Sequence, residues 1–69
     1  MQNKIAFFRK QKGLTQEKLA EIVGITRPYL SEIENGNYAP GGPLILKIAK
    51  SLGVSVEDIF SDDNRPKAG

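Results

Sequence analysis

GLTQEKLAEIVGITRPYLSEIENG, residues 13–36, reads as two short helices and the corner between them. Thr15 is a good N-cap for the first, and Glu17 lies in its opening turn, where the helix dipole favours an anion. Leu19, Ala20 and Val23 fall on one face, and Gly24 follows the last turn. The second helix begins after Thr26. Pro28 falls in its first turn, where a missing N–H costs little because those donors have no intrahelical partner. Leu30 and Ile33 face inward, and Asn35-Gly36 ends the helix. Gly24-Ile25 is too short a joint for anything but a compact corner, across which Leu19 and Leu30 are expected to meet. Ala20 is small where bulk would hold the helices apart, Gly24 supplies a positive φ, and Ile25 plugs the gap beneath it. These features specify a helix-turn-helix, whose second helix can enter a major groove while the first crosses the backbone.

Outward from this corner the punctuation predicts more helices. One spans roughly Asn3 to Lys12, with Ile5 and Phe8 apolar and Gly13 beyond its end. Phe7 is either core or part of an exposed apolar patch. NYAPGGP, residues 37–43, holds two Pro and two Gly and is expected to be a loop. Pro43 suits the first position of the next helix, where Ile45, Ile48, Ala49 and Leu52 keep helical spacing up to Gly53. Ser55 caps a short last helix with Glu57 and Asp58 at its start and Ile59 and Phe60 apolar. The expectation is an all-α, five-helix domain over residues 1–61 with a flexible C-terminal tail over 62–69.

Composition narrows the function. Sixty-nine residues make one small domain. With no Cys and no His there is no disulfide framework or thiolate site, and the commonest metal ligand and neutral-pH acid/base are missing. No paired buried acids are expected at helical spacing either, so an enzyme is not expected, nor a metal, cofactor or small-molecule ligand. No apolar run approaches the roughly 20 residues of a membrane span. MQNKIAFFRK carries no apolar leader core or cleavage signal, so the expected location is the cytoplasm. The net charge of +2 divides unevenly: residues 1–50 carry eight basic and four acidic side chains, residues 51–69 two and four. Lys4, Arg9, Lys10, Lys12, Lys47 and Lys50 supply most of the basic excess, which permits binding to a polyanion without requiring it.

Residues 13–36, with FFRKQKGLTQ before Leu19 and LKIAKSLGVSVEDIF ending at Phe60, resemble the Cro/cI repressor family, the XRE-like bacterial and phage regulators. The resemblance runs from Lys4 to Phe60. It implies a lambda-repressor-like DNA-binding domain, usually a homodimer, acting on double-stranded DNA at a pseudo-palindromic operator as a transcriptional repressor. By that resemblance Thr26, Arg27, Pro28 and Glu32 occupy the base-facing positions. Gln16 stands where the family contacts phosphate and often braces the recognition helix, and Asn35 at a second phosphate position. Arg9 and Glu34 match a pair that forms an internal salt bridge in the family.

The chemistry of these residues fits much of that assignment. Arg27 can pair with guanine O6 and N7, the Thr26 methyl can touch a thymine methyl, and Glu32 can accept from cytosine N4. Glu32 can equally be plain solvated surface. Pro28 has no hydrogen-bonding group and reads a base by apolar contact or exclusion. The loop lacks the Lys or Arg that relatives often carry, so the N–H groups of Gly41 and Gly42, with Asn37 and Tyr38, have to serve. Tyr38 can alternatively pack on the helix that follows. The family's hydrophobic residue just before that helix is replaced by Gly42. The expected phosphate set is Thr15, Gln16, Asn35, Asn37 and Tyr38. Val54, Val56, Ile59 and Phe60 are expected at the dimer interface, with core as the alternative for Ile59. A competing reading keeps the helical fold as a protein-interaction module without DNA binding.

Overall fold

In the computed structural model, which describes residues 3–61, the chain runs through α1 (Ile5–Gln11), α2 (Gln16–Val23), α3 (Arg27–Glu34), α4 (Gly42–Leu52) and α5 (Val56–Ile59). Local chemistry sets most of these boundaries. Thr15 Oγ1 accepts from the Lys18 N–H at 3.0 Å, and Thr26 Oγ1 from the Tyr29 N–H at 3.2 Å. At α5, Ser55 and Asp58 cap each other reciprocally, side chain to backbone in both directions. Between α2 and α3 the chain reverses at Gly24, whose φ of +82° L side chains rarely adopt. The N–H groups of Gly24 and Ile25 both close onto the Ala20 carbonyl at 2.9 Å.

The core is one cluster drawn from all five helices. Ile5, Leu19, Leu30, Ile33, Ile48 and Ile59 are fully enclosed. Ala20, Val23, Ile45, Ala49 and Leu52 complete it. Ile25 packs partly buried against the cluster beneath the α2–α3 corner. Helix α2 lies against both α3 and α4, while α4 also carries α1 and α5. Fully burying each large aliphatic side chain stabilises by about 1.5–3 kcal/mol, which fixes the axis of α3 through Leu30 and Ile33.

Two expected helix starts move, and the alternatives left open for Phe7 and Ile59 are decided. The first helix starts at Ile5, not Asn3, because Asn3 has other partners. Its Oδ1 accepts from the Ile5 N–H at 3.1 Å and its Nδ2 donates to the Ile33 carbonyl at 2.9 Å. Helix α4 starts at Gly42, which puts Pro43 second, where its missing N–H is equally harmless. Phe7 points outward with 54% of its surface exposed, and its ring edge meets Phe8, the half-buried neighbour that packs on the core. Ile59 has no surface to give a partner: it is wholly enclosed, and its carbonyl accepts the Lys4 N–H at 2.8 Å. Val54, Val56 and Phe60 remain half-buried. The tail expected over 62–69 lies outside the described residues.

Candidate nucleic-acid interface

Burial of Leu30 and Ile33 decides which side of α3 faces out. Arg27 and Pro28 open the helix, Glu32 lies on its last turn and Asn35 is its C-cap, and all four are exposed. Thr26 is exposed just ahead of them. Its oxygen is committed to capping, which leaves its methyl and its O–H for a ligand. Pro28 lacks an N–H, Tyr29 is capped by Thr26, and the Leu30 N–H is bonded to the Thr26 carbonyl. The Arg27 N–H is therefore the donor at the start of α3 without an intrahelical acceptor. At the start of α2 the corresponding donors belong to Gln16 and Glu17.

A polar chain runs from the interior to this surface. Arg9 is buried, and its Nε and Nη2 donate to Glu34 Oε2 and Oε1 at 2.8 and 3.2 Å. Its Nη1 donates to the Leu14 carbonyl at 2.8 Å, so both charges are well matched in a place sheltered from water. Glu34 Oε1 also accepts from Gln16 Nε2 at 2.9 Å. A carboxylate accepts and cannot donate, so it dictates which end of the Gln16 amide faces it. The Gln16 oxygen is thereby turned outward, where it accepts from Arg27 Nη1 at 3.3 Å. That contact uses one of five guanidinium donors and leaves Arg27 able to form a bidentate pair.

Beyond α3 the chain turns at Gly36 into the loop that carries Asn37 and Tyr38, both exposed. The Asn37 N–H and Nδ2 donate to the Glu32 carbonyl and carboxylate. Tyr38 packs its ring against Tyr29 of α3. The loop ends at Gly41, which caps α4 without a side chain. Thr15 is exposed at the head of α2, beside Gln16. Of the basic residues, Lys10, Lys12, Lys18, Arg27, Lys47 and Lys50 are exposed. The Lys12 ammonium lies near Gly53, at the C-terminal end of α4, where the dipole favours a cation.

The structure thus brings Thr15 and Gln16 at the head of α2 together with Thr26, Arg27 and Pro28 at the head of α3, and Glu32, Asn35, Asn37 and Tyr38 to the other end of α3. Val54, Val56 and Phe60 lie at α5 and its approach. Sequence reasoning passes over Tyr29, which follows a proline and belongs to no apolar stripe. It also passes over the bond from Asn3 to Ile33, whose partners are 30 residues apart.

Comparison with known proteins gives a consistent picture. The helix-turn-helix family matches residues 5–59. An uncharacterized HTH-type transcriptional regulator of Methanocaldococcus jannaschii is 47% identical over 60 residues, which cover 87% of this chain and 91% of that protein. Among solved structures, the restriction-modification controller protein C.AhdI from Aeromonas hydrophila superposes with a TM-score of 0.76 at 33% identity, over 83% of this chain and 86% of its own. The master regulator for biofilm formation SinR, solved in complex with DNA, gives a TM-score of 0.76 at 34% identity, over 84% of this chain and 94% of its own.

Proposed function

Because the chain belongs to the helix-turn-helix family of transcriptional regulators, we propose that it represses transcription as a homodimer on a pseudo-palindromic operator. Its class is that of a DNA-binding regulator and not of an enzyme. The observation that carries the proposal is the α2–α3 corner, where an exposed Arg27 is held by Gln16 over a helix anchored at Leu30 and Ile33. Placed in the major groove, α3 presents Thr26, Arg27 and Pro28 to base edges. Thr15, Gln16, Asn35, Asn37 and Tyr38 then face phosphate, which fixes the docking without reading sequence.

One domain of this kind buries about 600–1,000 Å² on DNA, which yields modest affinity unless a second half-site is linked to it. Val54, Val56 and Phe60, half-buried at α5, are the residues assigned to the link between copies. Occupancy alone accounts for repression, since a dimer seated across a promoter excludes polymerase from the same groove. Among the described residues no helix is long and apolar enough to cross a membrane; a regulator that acts on DNA has to share its compartment, and on that ground we assign the protein to the cytoplasm.

The test is selection of bound duplexes from a random pool, followed by sedimentation of protein with and without the winner. A recovered palindrome with half-sites about 10 bp apart, or a multiple, and a dimer on it is the expected result. Transcription from a promoter carrying that site should fall as protein is added. A pool that yields no enriched sequence would favour the protein-interaction reading instead.

A further inference from the structure

Glu32 and Asn37 meet twice across the end of α3. The Asn37 N–H donates to the Glu32 carbonyl at 2.9 Å, and Asn37 Nδ2 donates to Glu32 Oε1 at 2.5 Å. One residue further along, Tyr38 leans on Tyr29, ring centroids 5.9 Å apart and planes tilted by 60°. Tyr29 and Glu32 are three apart on the same helix, so they are surface neighbours one turn from each other. Together they fasten the loop to the helix that would enter the groove.

That loop has an unusual task under the reading above. From Asn35 to Pro43 it holds no Lys or Arg. A seat for phosphate made of neutral donors lacks the long-range charge that would draw a loose segment into place, so its donors must already stand in position. Glu32 meanwhile puts a negative charge on the surface that would face DNA. A carboxylate there repels phosphate and is costly unless it does something else.

We propose that Glu32 is a positioning residue for the phosphate-facing loop and not a reader of bases. Its carboxylate holds the Asn37 amide, and through it the Asn37–Tyr38 donors, at the spacing the DNA backbone requires. The inference rests on the operator-binding reading. Charge and hydrogen bonding at Glu32 act in opposite directions here, and substitution separates them. Glu32→Gln keeps an acceptor for Asn37 Nδ2 and removes the charge, whereas Glu32→Ala removes both. The backbone bond from Asn37 to the Glu32 carbonyl remains available in each.

The experiment titrates wild type, Glu32→Ala, Glu32→Gln, Asn37→Ala and the Glu32→Ala/Asn37→Ala double variant against three duplexes. These are the selected operator, its single-base variants and a scrambled sequence, each at several salt concentrations, with a thermal melt of each protein. Glu32→Ala should weaken operator and scrambled duplex by the same factor, about three- to tenfold, the size of one hydrogen bond. Glu32→Gln should restore wild-type binding or exceed it. The double variant should bind no more weakly than Asn37→Ala, because the two residues act through one contact. Loss of preference at a single base position in Glu32→Ala would make Glu32 a reader and overturn the proposal. Tighter binding of Glu32→Ala to every duplex, or a failure of Glu32→Gln to rescue, would overturn it equally. If Glu32→Ala does not fold, Glu32→Gln decides alone, and it must match or exceed wild type on operator and scrambled duplex alike. Wild-type protein that binds no duplex refutes the operator-binding reading itself, and this role falls with it.

Discussion

The Gln16 amide and the Arg27 guanidinium meet across the α2–α3 corner, oxygen to nitrogen at 3.3 Å. Behind Gln16 stands Glu34, already paired with Arg9, which fixes the direction in which the amide points. A charged pair in the interior thus sets the approach of an exposed side chain at the head of α3. By the resemblance, Gln16 is expected to contact phosphate and often to brace the recognition helix. The geometry couples it to Arg27.

Arg27→Ala should therefore cost about 1–3 kcal/mol per half-site and relax preference at one base position. Gln16→Ala should weaken the operator more than scrambled DNA, because it frees Arg27 as well as removing a phosphate contact. Asn35→Ala should weaken both duplexes alike. Binding titrations of the three variants on both duplexes check this, and equal losses for Arg27→Ala on both would make Arg27 a phosphate clamp.

Salt dependence provides a separate check. The slope of log affinity against log salt counts neutralised phosphates at about 0.9 each on duplex DNA. With no cation in the loop, the slope should be shallow and set by Lys and Arg on the helices. Gln16→Ala and Asn35→Ala should leave it unchanged, since neither side chain is charged. A slope that flattens in Asn35→Ala would contradict that account.

Glu34→Gln leaves Arg9 with an uncompensated charge in a site where the two side chains are 9% and 4% exposed. Breaking such a pair costs about 3–5 kcal/mol. For a domain of this size the melting temperature should fall by about 10 °C or more. Circular dichroism during a thermal ramp measures it, and an unchanged midpoint would show that water reaches the pair.

Gly24→Ala isolates a backbone effect. Nothing lies within 4 Å of the position its Cβ would take, so no clash contributes. The φ of +82° remains, and holding an L residue there costs roughly 1–2 kcal/mol. Urea unfolding should show a lower midpoint with an unchanged slope. A change in slope instead would indicate that the corner itself had opened.

The parts of this fold that are legible in the sequence are those governed by neighbours a few residues away. Thr15, Thr26 and Ser55 announce helix starts because a capping oxygen needs an N–H three residues ahead. Leu19, Val23, Leu30, Ile33, Ile48 and Leu52 announce the core because a helix returns to the same face every three or four residues. Phe7 and Phe8 are ambiguous from sequence, since adjacent residues point about 100° apart and either can be the one that faces inward. The contacts that shape the candidate site are hidden. Gln16 to Glu34, and Asn3 to Ile33, join residues 18 and 30 apart, and no periodicity links them. The Arg9–Glu34 match comes from family resemblance, not from spacing. The path of NYAPGGP, and with it the Tyr29–Tyr38 contact, depends on turns that carry no apolar repeat.

The hydrogen bond from the Lys4 N–H to the Ile59 carbonyl has a consequence for how the domain is made. Most helical contacts here are local and can form early, as low contact order favours. This one spans 55 residues, and the Asn3–Ile33 bond spans 30. During synthesis α1 can coil as soon as it emerges, yet the Ile59 carbonyl reaches its leading end only once α5 has been made and docked. Until then Ile5 lacks part of its enclosure, and the nascent chain carries exposed apolar surface that the finished domain conceals. Closure at Ile59 is thus expected to come late and to join locally formed helices into one cooperative unit.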